Sequence, residues 1–113
     1  MATASPCPYN SVMERRLGEL RGIGTKMLED FALLGITGIQ QLQAADANQL
    51  YLRMCALTGT RQDPCVLDTY RCAIEQARNP GLPEDQRNWW YWSRLRKAGL
   101  LGEDVSRRVK PPA

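Results

Sequence analysis

The chain has 113 residues, 43% apolar and 24% charged, which suits one globular domain with a small core. Its apolar runs, such as Phe31 to Leu34 closed by Gly35, fall far short of the about 18 residues a membrane helix needs. Net charge is +3 but unevenly placed: residues 1–26 sum to +2, residues 27–86 to −4 and residues 87–113 to +5, so both ends are basic around an acidic middle.

Residues 1–10 carry Ala, Thr, Ser and two prolines, without the basic start and apolar run of a signal peptide, and read as a flexible arm. A first helix is expected from about Ser11 to Leu20, with Ser11 and Glu14 in a capping-box pattern and Val12, Arg16, Leu17 and Leu20 on one side. Gly18 weakens it by about 1 kcal/mol relative to alanine. Gly22-Ile23-Gly24 breaks the pattern, and a second helix follows from Thr25 to Leu34, closed by Gly35. Thr37 is expected to cap a short helix that turns Ile39 and Leu42 inward, and Asp46 the next, which ends at Gly59. Asp63-Pro64 is a capping side chain followed by proline at the first helical position. The helix it starts carries Val66, Leu67, Tyr70, Ala73, Ile74 and Ala77. Asn79 to Pro83 is a loop. A last helix is expected from Glu84 to Lys97, with Trp89 and Trp92 toward the core and Trp90 or Tyr91 toward solvent. Nothing alternates like a strand. The expectation is an all-α domain of about six helices over residues 11–98, then a basic tail over 99–113, mobile at its end.

Two glycines in Gly22-Ile23-Gly24 allow a sharp turn and leave no Cβ to block a ligand. The amides that follow open a helix, so they lack internal partners and point outward with its positive end, which suits a phosphate oxygen. Arg21 and Lys26 flank the turn with positive charge, and Thr25 is placed either to cap the second helix or to donate to phosphate. The segment Leu17-x-x-Leu20-x-Gly22-Ile23-Gly24-x-Lys26-x-Leu28-x-x-Phe31 resembles the helix-hairpin-helix motif, with Ile23 as the apolar plug between its helices. One position departs: where that family commonly has a small residue, this chain has Leu28. The resemblance implies a contact to DNA phosphate through Arg21, Gly22, Ile23, Gly24, Thr25 and Lys26.

The likeness extends downstream. Leu50-Tyr51-x-x-Met54-Cys55-x-x-Thr58-Gly59, then Asp63-x-Cys65-Val66-Leu67-Asp68-x-Tyr70-Arg71, then the tryptophan-rich helix resemble the bacterial pathogenicity locus proteins. Some of these carry a mitomycin-resistance label, which implies a link to DNA damage.

Other groupings point to structure more than to chemistry. Cys7, Cys55, Cys65 and Cys72 show no Cys-x-x-Cys spacing and the chain has no histidine, so no zinc pattern and no cofactor is expected. Asp68 with Arg71 and Glu75 with Arg78 are expected as surface pairs, and without a nucleophile motif the chain is not expected to be an enzyme. Trp90, Arg94, Arg96 and Lys97 form a candidate second contact, to nucleic acid or to a partner. The expectation is a cytoplasmic, sequence-independent DNA-binding protein, weak as a monomer and aided by a homodimer or a partner protein, with no membrane association. The alternative is an interaction module that docks a protein through its aromatic and basic last helix.

Overall fold

In the computed structural model, which describes residues 15–110, the chain forms five α-helices: α1 Thr25–Leu33, α2 Ile39–Gln43, α3 Ala47–Thr58, α4 Pro64–Arg78 and α5 Trp89–Lys97. Three 3-10 turns lie at Leu17–Glu19, Glu84–Arg87 and Val105–Arg108. No strand occurs among the described residues, so the class is all-α. No helix among them is long and apolar enough to cross a membrane. The expected arm (1–10), the start of the first helix (11–14) and residues 111–113 lie outside the described residues.

Local chemistry accounts for most of the boundaries. At the end of α1, Gly35 takes φ +82°, its amide donates to Ala32 O at 3.1 Å, and the Ile36 amide donates to Phe31 O at 2.8 Å. This is the paired closure that glycine permits after a helix. Asp46 caps α3 by accepting from the Asn48 and Gln49 amides, and Gly59 ends it at φ +67°. Asp63 accepts from the Cys65 amide at 2.9 Å with Pro64 opening α4. For α2 the expected cap is corrected. Gly38, not Thr37, holds the N-cap position. The Gln41 side-chain oxygen reaches back to accept from the Gly38 amide at 3.1 Å and the Thr37 hydroxyl at 2.8 Å.

Two expected helices are shorter than their patterns. Between Arg15 and Leu20 the described backbone is helical only over the turn Leu17–Glu19. Arg16 and Leu20 are extended (ψ 153° and 143°), which buries Leu17 and Leu20 on either side of Gly18. A glycine in mid-pattern gives little helical preference to oppose that. Leu28 lies 37% exposed beside this turn, its Cδ1 3.8 Å from where a Cβ on Gly18 would stand, so it packs over the glycine and not between helices. The expected Glu84–Lys97 helix is interrupted at Asn88 (φ −107°, ψ 134°). Gln86 O there accepts from Trp92 Nε1 at 2.8 Å and from Cys72 Sγ at 3.6 Å, so it is spent on tertiary partners and not on a continuing helical ladder.

The core is assembled around α4, which packs against α2, α3 and α5. Phe31, Leu42, Tyr51, Leu67, Tyr70, Ala73 and Ala77 are shut off from solvent, with the Phe31 and Tyr70 ring centroids 5.6 Å apart. Alongside this apolar stripe runs a polar one. Asp68, Cys72 and Gln76, spaced i, i+4 and i+8, share a face of α4 and are all buried. Each is matched to a different neighbour. Asp68 accepts two bonds from Arg96 on α5 (2.8 and 3.0 Å), Cys72 donates to the Gln86 carbonyl, and Gln76 binds the backbone of Arg21. Asp68 is therefore not the surface partner of Arg71, whose guanidinium instead donates to Asn48 at 2.9 Å. Glu75 and Arg78 do pair, at 3.7 Å.

Within residues 99–113, Val105 and Ser106 are buried and Val105 belongs to the core, with the final turn packed on α3. Asp104 caps that turn and accepts from Arg96 at 3.0 Å. Burial pushes the Asp104 carboxyl up, but the Ser106 and Arg96 donors outweigh it and hold the group below its usual range.

Candidate functional site

The turn between Leu20 and α1 is tight. The Ile23 amide donates to Leu20 O at 3.2 Å, and Gly22 between them sits at φ +88°, a conformation that favours glycine. Ile23 is buried in the core, so its side chain anchors the turn from within. Gly24 is the N-cap of α1 (φ −102°, ψ −166°), and its carbonyl accepts the first helical bond, from the Leu28 amide at 3.0 Å. The amides of Gly24, Thr25, Lys26 and Met27 have no hydrogen-bond partner among the described residues. Thr25 is exposed and does not cap: the cap position belongs to Gly24, which has no side chain to offer.

A Cβ built on Gly24 would meet no atom within 4 Å, and the backbone there is open to any residue. Neither strain nor internal packing requires glycine at this position. Its effect is to leave the start of α1 uncovered on the outer side.

Gln76 fixes the turn against α4. Its side-chain oxygen accepts from the Arg21 amide and its nitrogen donates to the Arg21 carbonyl, both at 3.0 Å. The Arg21 guanidinium donates to Asn88 Oδ1 at 3.2 Å and pairs with Glu84. The Lys26 ammonium pairs with Asp30 one turn on, at 3.0 Å. Both cations are exposed, and such surface pairs contribute about 0–1 kcal/mol, so a phosphate competing for them meets little resistance.

The expected second contact divides. Trp90 is 49% exposed; Arg94 is exposed and lies over the Tyr91 ring, 5.9 Å from its centroid; and Lys97 is exposed. Arg96 is corrected: its side chain is 9% exposed and committed to Asp68 and Asp104, so it has no free face for a ligand. Bonds to those two carboxylates hold its guanidinium above even the ordinary arginine range. Trp89, expected in the core, is 37% exposed instead, because the break at Asn88 restarts the helix and resets which face its first residue presents.

Trp89 and Trp90 come to the turn between Leu20 and α1. With Gly22, Thr69, Cys72 and Arg87 they line a mostly apolar hollow of about 210 Å³. Burial pushes the Cys72 thiol up to about 11, so at neutral pH it is a protonated, unreactive group. Cys55 is also buried and Cys65 partly so. No cluster of three potential metal ligands forms among the described residues.

Reading the residues in order misses Gln76, Trp89 and Cys72 as parts of this region. A signal for Gln76 does exist: it is a polar residue one turn after Cys72 and beside Ala77, on the face of α4 that packs inward, where a carboxamide needs a partner. The partner is 55 residues away, and no local pattern names it.

A protein named mitomycin resistance protein McrB, from Streptomyces lavendulae, is 43% identical over 91 residues, covering 80% of this chain and 83% of that protein. No solved structure matches the chain. The model of the pathogenicity locus family matches residues 12–98, with the turn, α1 to α4 and the tryptophan helix all inside that span, and the chain belongs to that family.

Proposed function

We propose that the protein binds DNA without sequence preference, as a helix-hairpin-helix module, with the amides of Gly24, Thr25 and Lys26 holding a backbone phosphate, and that this binding serves resistance to DNA damage. The observation that carries the reading is Gly24: a glycine that neither strain nor packing requires, set over the unpartnered first turn of a helix. Backbone amides at a helix start bind anions through hydrogen bonds and the helix dipole together. Arg21 and Lys26 supply charge on either side, and the name of the relative from Streptomyces lavendulae accords with a role in damage resistance. The reading assigns binding, not catalysis, to this surface.

A single hairpin meets few phosphates. The logarithm of its affinity is expected to fall with the logarithm of salt with a slope of only about −0.9 per phosphate, which makes monomer binding weak and leaves a role for a second copy or a partner protein. The test is anisotropy titration of a random duplex at several salt concentrations, with Gly24→Val alongside. Valine at this extended position costs the fold no more than about 1 kcal/mol as a poorer N-cap, while its methyls cover the amides. The variant is expected to keep its circular dichroism spectrum and to lose at least about ten-fold in affinity, one direct phosphate contact being worth about 1.4 kcal/mol or more. Unchanged affinity in the folded variant, or no binding by the native protein at low salt, would refute the reading.

A further inference from the structure

The hollow beside the turn has features that phosphate binding does not use. Trp89 and Trp90 stand edge to face, 5.8 Å apart at 82°, and both stay well exposed at its rim. Its volume of about 210 Å³ lies below the range of drug-sized sites, so it fits one small ring system. Most of the polar atoms around it are spent elsewhere. Thr69 Oγ1 donates to Cys65 O, Cys72 Sγ to Gln86 O, and Arg87 to the carbonyls of Leu82 and Pro80. The hollow therefore offers apolar faces, two guanidinium charges, Arg21 and Arg87, and one carboxamide, Asn88, whose oxygen is taken by Arg21, so few groups are left to read hydrogen-bonding edges.

Gly22 lines the hollow, and Gly24, where the open amides begin, is two residues further, at most about 7 Å of chain. That is about the spacing of one to two nucleotides along a strand. We propose that the hollow receives one unpaired nucleobase of a DNA strand whose neighbouring phosphate rests on the turn. The inference rests on the DNA-binding reading and adds a preferred substrate: DNA carrying an unpaired nucleotide. A base inside an intact duplex is covered on both faces and cannot enter, whereas an unpaired one leaves its stack at low cost. Stacking on indoles tolerates any base, so no base preference is expected.

The test compares three ligands at one low salt concentration: a fully paired duplex, the same duplex with one extra unpaired nucleotide, and the single strand. Anisotropy reads affinity and tryptophan emission reads occupancy. The unpaired nucleotide is expected to tighten binding roughly 5- to 150-fold and to quench emission. The preference should vary less than about three-fold among the four bases, and Trp89→Ala/Trp90→Ala should abolish it. Equal affinity for the paired and interrupted duplexes overturns the base site while leaving duplex binding intact. So does unaltered emission, which is the result expected of indoles reserved for a protein partner. Absence of binding to all three ligands removes the DNA-binding reading itself.

Discussion

At Asp68 a carboxylate sits wholly out of solvent, with two nitrogens of Arg96 on its two oxygens, and Arg96 is in turn bonded to Asp104. Removing such charges from water costs several kcal/mol per ion, which the close two-pronged geometry offsets only while all partners are present. Asp68→Ala is therefore expected to lower unfolding free energy by about 3–5 kcal/mol in urea titration, because a guanidinium is left buried beside one carboxylate instead of two. Asp68→Leu/Arg96→Met/Asp104→Asn should recover most of that loss, since an apolar pair of similar volume carries no desolvation cost and an uncharged amide at 104 can still accept from Ser106. If the single variant costs under 1 kcal/mol, the ion pair is incidental. Asp68 also marks how far residue types carry in the sequence. Gly22, Asp63 and Gly35 act through neighbours within a few positions and are legible there. Asp68 is matched 28 residues away and Gln76 55 residues away, so their types are visible but their partners are not.

Among the elements, those with chemical signals at both ends match their patterns within a residue or two: α3 between Asp46 and Gly59, and α4 opening at Asp63-Pro64. Two other expected helices do not match theirs. The Ser11–Leu20 pattern yields only a 3-10 turn in its described part, and the Glu84–Lys97 pattern splits at Asn88, where a capping asparagine side chain forms no bond to the helix it precedes. Tertiary demand on the Gln86 carbonyl accompanies the split in the second case, and the split brings Trp89 beside Gly22. The cap of α4 gives a prediction at this scale. Asp63→Ala is expected to cost about 1 kcal/mol at pH 7. The Cys65 amide holds the Asp63 carboxyl below its ordinary value, so the cap contributes fully above the unfolded carboxylate pKa of about 3.9 and is lost as pH falls through the lower native value. The difference in melting temperature between native and variant proteins should therefore stay constant from pH 5 to 8 and shrink progressively as pH falls below about 4. A difference that persists in acid would show that Asp63 acts by shape and not as a charged cap.

For the whole molecule, the distribution of charge in the sequence overstates the free positive surface. Residues 87–113 sum to +5, yet Arg96 is buried and committed to Asp68 and Asp104, while Arg107 and Arg108 keep their charge at the surface in exposed pairs with Asp104 and Glu103. The exposed cations of α5 near the rings reduce to Arg94 and Lys97. The last segment is thus a structural strap more than a basic arm: Val105 enters the core, Asp104 completes the Arg96 pair, and Arg61 Nε donates to the Ser106 carbonyl at 3.1 Å. Deleting residues 103–113 separates the two roles. It removes three basic and two acidic residues, a net +1, so a salt-dependent affinity set at the hairpin should change less than about three-fold. Stability should fall by at least about 3 kcal/mol, since burial of a valine side chain alone contributes about 1.5–3 kcal/mol and Arg96 loses a carboxylate besides. In a chain of this size that lowers the melting temperature by about 10 °C or more. A basic arm would give the opposite pair of results, with DNA affinity collapsing while thermal unfolding barely moved, so one truncation read by calorimetry and anisotropy decides between them.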